Sequence, residues 1–160
     1  MIREKVWPTM KKFELDRDIR FNTGKIADPS AFAKETGAAA WLYLNGEEFA
    51  SMEGGMSYAQ VRGAVGRSVN VVSDPPRELT VELAREHVAA LDDLPRPTLV
   101  SCRSGPRASA VAYMYSGLRS GAEPEDVIAE AEQQGAPFCK FDDYKAWVRE
   151  AIATLRREKA

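Results

Sequence analysis

A three-layer α/β fold, with a mainly parallel central sheet flanked by helices, is what this sequence predicts. Short apolar runs at 19–23, 39–44, 68–72 and 98–101 read as strands. Each is followed by a segment with the start and stop signals of a helix. The chain has 160 residues, which fits one domain, 1–160, with enough length for a substantial core. Its composition, 44% hydrophobic and 29% charged, is that of a soluble globular protein.

The elements follow in order. Residues 1–18 are mixed and charged and read as an N-terminal arm or an edge strand. Ile19 to Thr23 alternates apolar and polar residues, as a half-buried strand does. Asp28-Pro29 opens a helix, with Asp as N-cap and Pro at the first helical position. That helix runs to Glu35 and stops near Gly37. Ala39 to Leu44 is a buried strand closed by Asn45-Gly46. A loop over 47–56, rich in Glu, Met and Gly, precedes a modest helix from Ser57 to Arg67. Ser68 to Val72 is a strand ended by Ser73-Asp74-Pro75-Pro76. Thr80 caps a helix from Val81 to Asp92, with Ala84, Val88 and Leu91 on one face. Thr98 to Ser101 is a strand and Arg107 to Ser120 a helix. Helices over Pro124 to Gln134 and Asp142 to Arg157 complete the chain. The last carries Tyr144, Val148, Ala151, Ile152 and Leu155 as an apolar stripe, the pattern of core packing.

Bulk properties exclude several function classes. Formal net charge is −2, so no electrostatic case for nucleic acid or anionic membrane arises. No apolar run approaches the roughly 20 residues of a membrane span. The N-terminus, Met-Ile-Arg-Glu-Lys-Val-Trp-Pro, lacks the apolar core of a signal peptide, which points to the cytoplasm. Two cysteines, Cys102 and Cys139, make no disulfide framework. With His87 the one histidine and no clustered Cys/His spacing, no metal site and no cofactor is expected.

The chemistry concentrates in residues 99–109, Leu-Val-Ser-Cys-Arg-Ser-Gly-Pro-Arg-Ala-Ser. A strand ends at Cys102, a tight turn follows, and Arg107 opens a helix. A cysteine so placed faces a helix N-terminus, where unpaired N–H groups and the helix dipole favour negative charge. That setting is expected to lower the thiol pKa. The loop of Arg103, Ser104, Gly105, Pro106 and Arg107 can turn its N–H groups into an anion nest, and the Arg107 guanidinium adds a planar clamp. A strand-end cysteine is in many proteins only a small buried residue. The flanking Arg103 and Arg107, with Gly and Pro between them, favour a nucleophile in an oxyanion-binding loop. Parallel sheets place ligands beyond the carboxyl ends of their strands. Cys102 and Asp74 both lie at such ends, so one sheet edge can carry both.

Taken together, these residues resemble the cysteine-phosphatase superfamily with a dual-specificity-phosphatase-like fold. The nearer resemblance is to the bacterial family described as beta-lactamase-hydrolase-like, phosphatase-like domains. It covers roughly Ile19 to Phe138. The matching segments are Phe21-Asn22-Thr23-Gly24 with the helix after Asp28-Pro29, Gly37 to Glu47, Pro97 to Arg107, and Gly121 to Val127 with Gln134-Gly135. The loop departs from general tyrosine phosphatases in having four residues, not five, between Cys102 and Arg107. That spacing is shared with the resembled family and with rhodanese sulfurtransferases. Ser101 stands where phosphatases usually have histidine. Ala108 stands where a hydroxyl usually supports the thiolate, with Ser109 one place later.

The resemblance implies a phosphatase-like hydrolase acting on a phosphate-containing substrate. Cys102 would be the nucleophile, and Arg107 with the loop N–H groups the oxyanion cradle. Asp74, in a Pro-rich loop after a strand, is the candidate general acid, although Asp-Pro-Pro also suits a plain turn. His87 is expected to be a surface or packing residue, and Cys139 an inert thiol or a resolving partner of Cys102. Glu47, Glu48 and Glu53 read as a solvated acidic loop. Two other readings stay open. One is a rhodanese-like sulfurtransferase carrying a persulfide on Cys102, which the four-residue spacing favours. The other is a non-catalytic module binding an oxyanion or a phosphorylated partner, which Ala108 and Ser101 favour.

Overall fold

The computed structural model describes residues 12–52, 56–74 and 77–159. Its four short strands are β1 (Ile19–Phe21), β2 (Ala40–Tyr43), β3 (Arg67–Asn70) and β4 (Thr98–Ser101). All pairs are parallel, in the order β1-β4-β2-β3. Six α-helices accompany them among the described residues: α1 (Pro29–Thr36), α2 (Tyr58–Ala64), α3 (Val81–Asp93), α4 (Pro106–Ser120), α5 (Pro124–Gln134) and α6 (Asp142–Lys159).

The pleat sends alternate side chains to opposite faces of the sheet, and both faces are covered. Trp41, Tyr43 and Leu99 pack with Ile26, Ala33 and Val61 beneath α1 and α2. Ile19, Ala40, Leu42 and Val100 join the larger cluster formed with α3, α4, α5 and α6. This is the three-layer arrangement expected, and β4 lies inside it with β1 on one side and β2 on the other. The carboxyl end of β4 therefore emerges in the middle of the sheet edge, where Cys102 begins the loop.

The helix starts are set by local chemistry. The Asp28 carboxylate accepts from the Ala31 N–H at 3.2 Å, and Pro29 supplies a pre-set φ. Gly37 ends α1 with φ +68°. The Thr80 hydroxyl accepts from Leu83 N–H at 3.1 Å to start α3. α4 begins differently. Its cap is Gly105 at φ +118°, with no side-chain cap. Its residues Ala108 to Leu118 are all buried, so α4 is a central helix rather than a one-sided surface helix.

Several boundaries differ from expectation. β3 begins at Arg67, α4 begins one residue early at Pro106, and two 3₁₀ turns, Glu47–Phe49 and Pro137–Lys140, occupy segments read as loop or left unassigned. Such short turns leave no periodic signal in a sequence. Residues 12–18 form no strand, and among the described residues β1 is the edge of the sheet. The rest of the arm, residues 1–11, and Glu53 lie outside the described residues. Among the described residues no helix is long and apolar enough to cross a membrane.

Candidate active site

Cys102 is buried at the head of α4, and its sulfur is the focus of the loop. The Gly105 N–H donates to Sγ at 3.2 Å and the Ala108 N–H at 3.3 Å. These are groups that the start of a helix leaves without intrahelical partners. Burial pushes the Cys102 thiol up, and the N–H groups of Ala108, Gly105, Ser104 and Arg107 pull it down. Burial wins. The expectation of a lowered thiol pKa is corrected here: the helix-end donors are present, but a thiolate at this depth loses more hydration than they return.

Arg107 projects from the first turn of α4. One terminal nitrogen donates to the Ser73 carbonyl oxygen. The same nitrogen lies 3.9 Å from an oxygen of Asp74. The guanidinium carbon sits 5.6 Å from the centre of the Tyr144 ring, a cation–π arrangement. Its Nε is buried and has no hydrogen-bond partner among the described residues. Arg107 also forms part of the wall of a cleft of about 420 Å³ with Arg77, Leu79, Asp143, Trp147 and Glu150.

Ser73 is the seat of that arginine, and it is itself held from behind. Its hydroxyl donates to the Val71 carbonyl at 2.9 Å and lies 2.9 Å from His87 Nε2. With the hydroxyl proton so engaged, His87 is the donor through Nε2. His87 is fully buried, edge-on to Trp147 at 5.8 Å. Burial, followed by Arg77 and Arg107, drives its pKa down to about 3. It is thus the packing residue expected, with a tie to the site that the sequence does not suggest.

Asp74 reaches the same edge as Cys102 and is buried. Oδ1 accepts from Asn45 Nδ2 at 2.7 Å and Oδ2 from the Gly46 N–H at 2.6 Å. Its carbonyl also accepts from the Arg77 N–H at 2.9 Å, the turn bond of the simpler reading. The side chain therefore does more than start a turn: it ties the segment after β2 to the segment after β3, beside Arg107.

Other predicted residues fall into place around this centre. Arg103 and Ser104 are exposed on the loop, and Pro106 occupies the first helical position of α4. The Ser101 hydroxyl accepts from Trp41 Nε1 at 2.8 Å and so anchors β4 rather than the sulfur. The Ser109 hydroxyl donates to the Pro106 carbonyl and accepts from the Phe138 N–H, so it braces the 3₁₀ turn that carries Cys139. Both cysteines are free thiols, and burial pushes Cys139 up as well. Glu47 accepts from the Tyr58 N–H at 2.8 Å, at the start of α2. Among the described residues no group of three or more His, Cys, Asp or Glu is placed to hold a metal ion.

Sequence reasoning does not single out Asn22, Ser73 or Tyr144 as site residues. It places Tyr144 in the apolar stripe of α6, but the ring lies half-buried against Arg107. A tyrosine at the solvent end of an apolar stripe, next to an acidic helix start, is the available signal.

No protein-family model and no curated protein matches this chain. Solved structures do. PTPMT1 in complex with PI(5)P is 12% identical, with 94% of this chain and 98% of that one covered and a TM-score of 0.61. A DUF442 protein from Shewanella putrefaciens CN-32 is 18% identical, with 94% of each chain covered and a TM-score of 0.59. TpbA from P. aeruginosa is 17% identical, with 87% and 85% covered and a TM-score of 0.57. The chain has the cysteine-phosphatase, dual-specificity-phosphatase-like fold.

Proposed function

We propose that this chain is a cysteine-dependent phosphatase-like hydrolase of phosphoric esters. The observation that carries the proposal is the convergence of Gly105 and Ala108 N–H groups on Cys102 Sγ, with Arg107 and Asp74 at the same sheet edge. Each feature has a task in phosphoryl transfer. The Cys102 thiolate attacks phosphorus and the ester P–O bond breaks, giving a phosphocysteine. The loop N–H groups and Arg107 hold the equatorial oxygens while charge spreads over them. The Arg107 Nε, unpartnered among the described residues, gains an acceptor in such an oxyanion. Asp74 gives its proton to the leaving oxygen and takes one from the water that then cleaves the S–P bond. To do so its carboxyl must release Asn45 or Gly46. Burial holds the Cys102 thiol protonated, so its proton must leave as the substrate binds; an oxygen of the incoming phosphate dianion takes it, and the loop N–H groups then hold the thiolate.

The experiment compares an aryl phosphate, an alkyl phosphate, and thiosulfate with cyanide, in the wild type and in Asp74→Asn. The expected result is turnover of the phosphates and none of thiosulfate. Asp74→Asn should slow the alkyl ester by about 10²–10⁴ and the aryl ester, whose leaving group needs less protonation, by much less. Equal slowing of both, or none, returns Asp74 to a structural role. Transfer of sulfur to cyanide instead supports the sulfurtransferase reading. Oxyanion binding without turnover supports a binding module. Two observations favour that last reading: both Asp74 oxygens are already engaged, and no side-chain hydroxyl faces the sulfur from position 108.

A further inference from the structure

The β1–β4 ladder ends at the Phe21–Val100 pair. The pairing stops two residues short of Cys102, so among the described residues no strand continues the ladder there on the β1 side. The side chain of Asn22 takes over the ladder. Its Oδ1 accepts from the Cys102 N–H at 3.2 Å, and its Nδ2 donates to the Cys102 carbonyl at 2.9 Å and to the Gly24 carbonyl at 2.8 Å. A carboxamide has the donor and acceptor of a peptide group on one short stem, so it can pair with a peptide as a strand would. Asn22 is 2% exposed, where an unmade hydrogen bond is not replaced by water. The same residue meets the loop a second time. A Cβ added at Gly105 would lie 2.5 Å from the Asn22 carbonyl oxygen and 3.2 Å from Thr23 Cα. The turn after β1 thus holds both ends of the Cys102–Gly105 loop, one by hydrogen bonds and one by close backbone contact.

We propose that Asn22 is a positioning residue: by fixing the Cys102 peptide it makes the Gly105 and Ala108 N–H groups converge on the sulfur. The proposal rests on the reading of Cys102 as the functional thiol, and it is separable from whether phosphate is the substrate. An apolar residue at position 22 leaves the Cys102 N–H and carbonyl unpaired in a buried place. The strand end then rotates, the loop donors move off Sγ, and both the thiolate and a bound oxyanion lose them. The hydrophobic cores on the two faces of the sheet are built from other residues, so the variants should lose some stability through the unpaired peptide and still fold.

The test uses Asn22→Leu, close in size but unable to hydrogen-bond, and Asn22→Ala. Two quantities are read in the full chain. One is the pH midpoint of iodoacetamide alkylation at Cys102, with Cys139 as internal reference by mass spectrometry. The other is the affinity for orthovanadate by calorimetry. The expected result is a Cys102 midpoint about one pH unit higher than in the wild type and an unchanged Cys139. Vanadate should bind roughly tenfold more weakly. A folded variant with wild-type midpoint and affinity overturns the proposal. So does a parallel rise in Cys139 reactivity, which marks general loosening, and so does failure of both variants to fold, which makes Asn22 a core residue. A wild type that binds no vanadate sinks the hydrolase reading instead, and the alkylation midpoints still decide the role of Asn22.

Discussion

Arg107 makes three contacts: one terminal nitrogen meets the Ser73 carbonyl and the Asp74 carboxylate, and the flat guanidinium lies against the face of Tyr144. Lysine keeps the charge but lacks the planar fork that presents two parallel N–H groups to an oxyanion. Arg107→Lys should therefore weaken vanadate or phosphate binding by about 2–3 kcal/mol, measured by calorimetry, the size of a charge-assisted bond left unmade. Unchanged affinity would remove Arg107 from the oxyanion site. Cys102 and Arg107 are legible in the sequence because the loop that joins them is local: strand, turn and helix start all fall within 98–107. Asn22 is not, because its value lies in a contact with Cys102 across 80 positions. Ser73 and Tyr144 escape for the same reason. The direction of the Cys102 shift is misread from sequence because donors are visible there and depth of burial is not.

The strands and helices are more legible than the contacts they make. Caps decide the helix starts: Asp28 before Pro29 and Thr80 before Val81. The alternation of β2 and β4 decides the two faces. What escapes is the burial of α4 on all sides, since its small residues give it little one-sided apolar pattern. Gly117 shows what those small residues do. A Cβ there would lie 2.5 Å from Val127 Cγ2 and 3.2 Å from Ile152 Cδ1, where α5 and α6 close over α4. Val127 is fully buried and, being β-branched, has little freedom to turn away. In an exposed helix Gly→Ala would stabilise by about 1 kcal/mol. Here overpacking should outweigh that gain, so Gly117→Ala is expected to lower stability by roughly 1–3 kcal/mol in urea unfolding. A variant as stable as the wild type would mean that α5 and α6 can retreat from α4 without penalty.

Stability and the site are joined through the one histidine of the chain. His87 stands behind Ser73, and Ser73 holds Arg107, so the state of a buried ring bears on the position of the clamp. In the unfolded chain His87 titrates near its ordinary pKa of about 6.5. In the folded chain burial, with Arg77 and Arg107 nearby, holds it down to about 3. The folded state therefore refuses a proton that the unfolded state accepts. Its contribution to stability is fully present above about pH 6.5 and is lost as pH falls toward the folded value. The expected slope is about 1 kcal/mol per pH unit. It is best read between about pH 6.5 and pH 5, above the ordinary range of carboxylates. Because the chain contains a single histidine, no second imidazole blurs that window. Urea unfolding of the wild type should show the loss, and His87→Gln, which can still donate to Ser73 but cannot titrate, should flatten it. A slope equal in both proteins would place the pH dependence elsewhere and leave His87 as inert packing. A slope that disappears only in His87→Gln would tie the acid limit of the fold to the ring behind Ser73, the residue whose carbonyl holds Arg107.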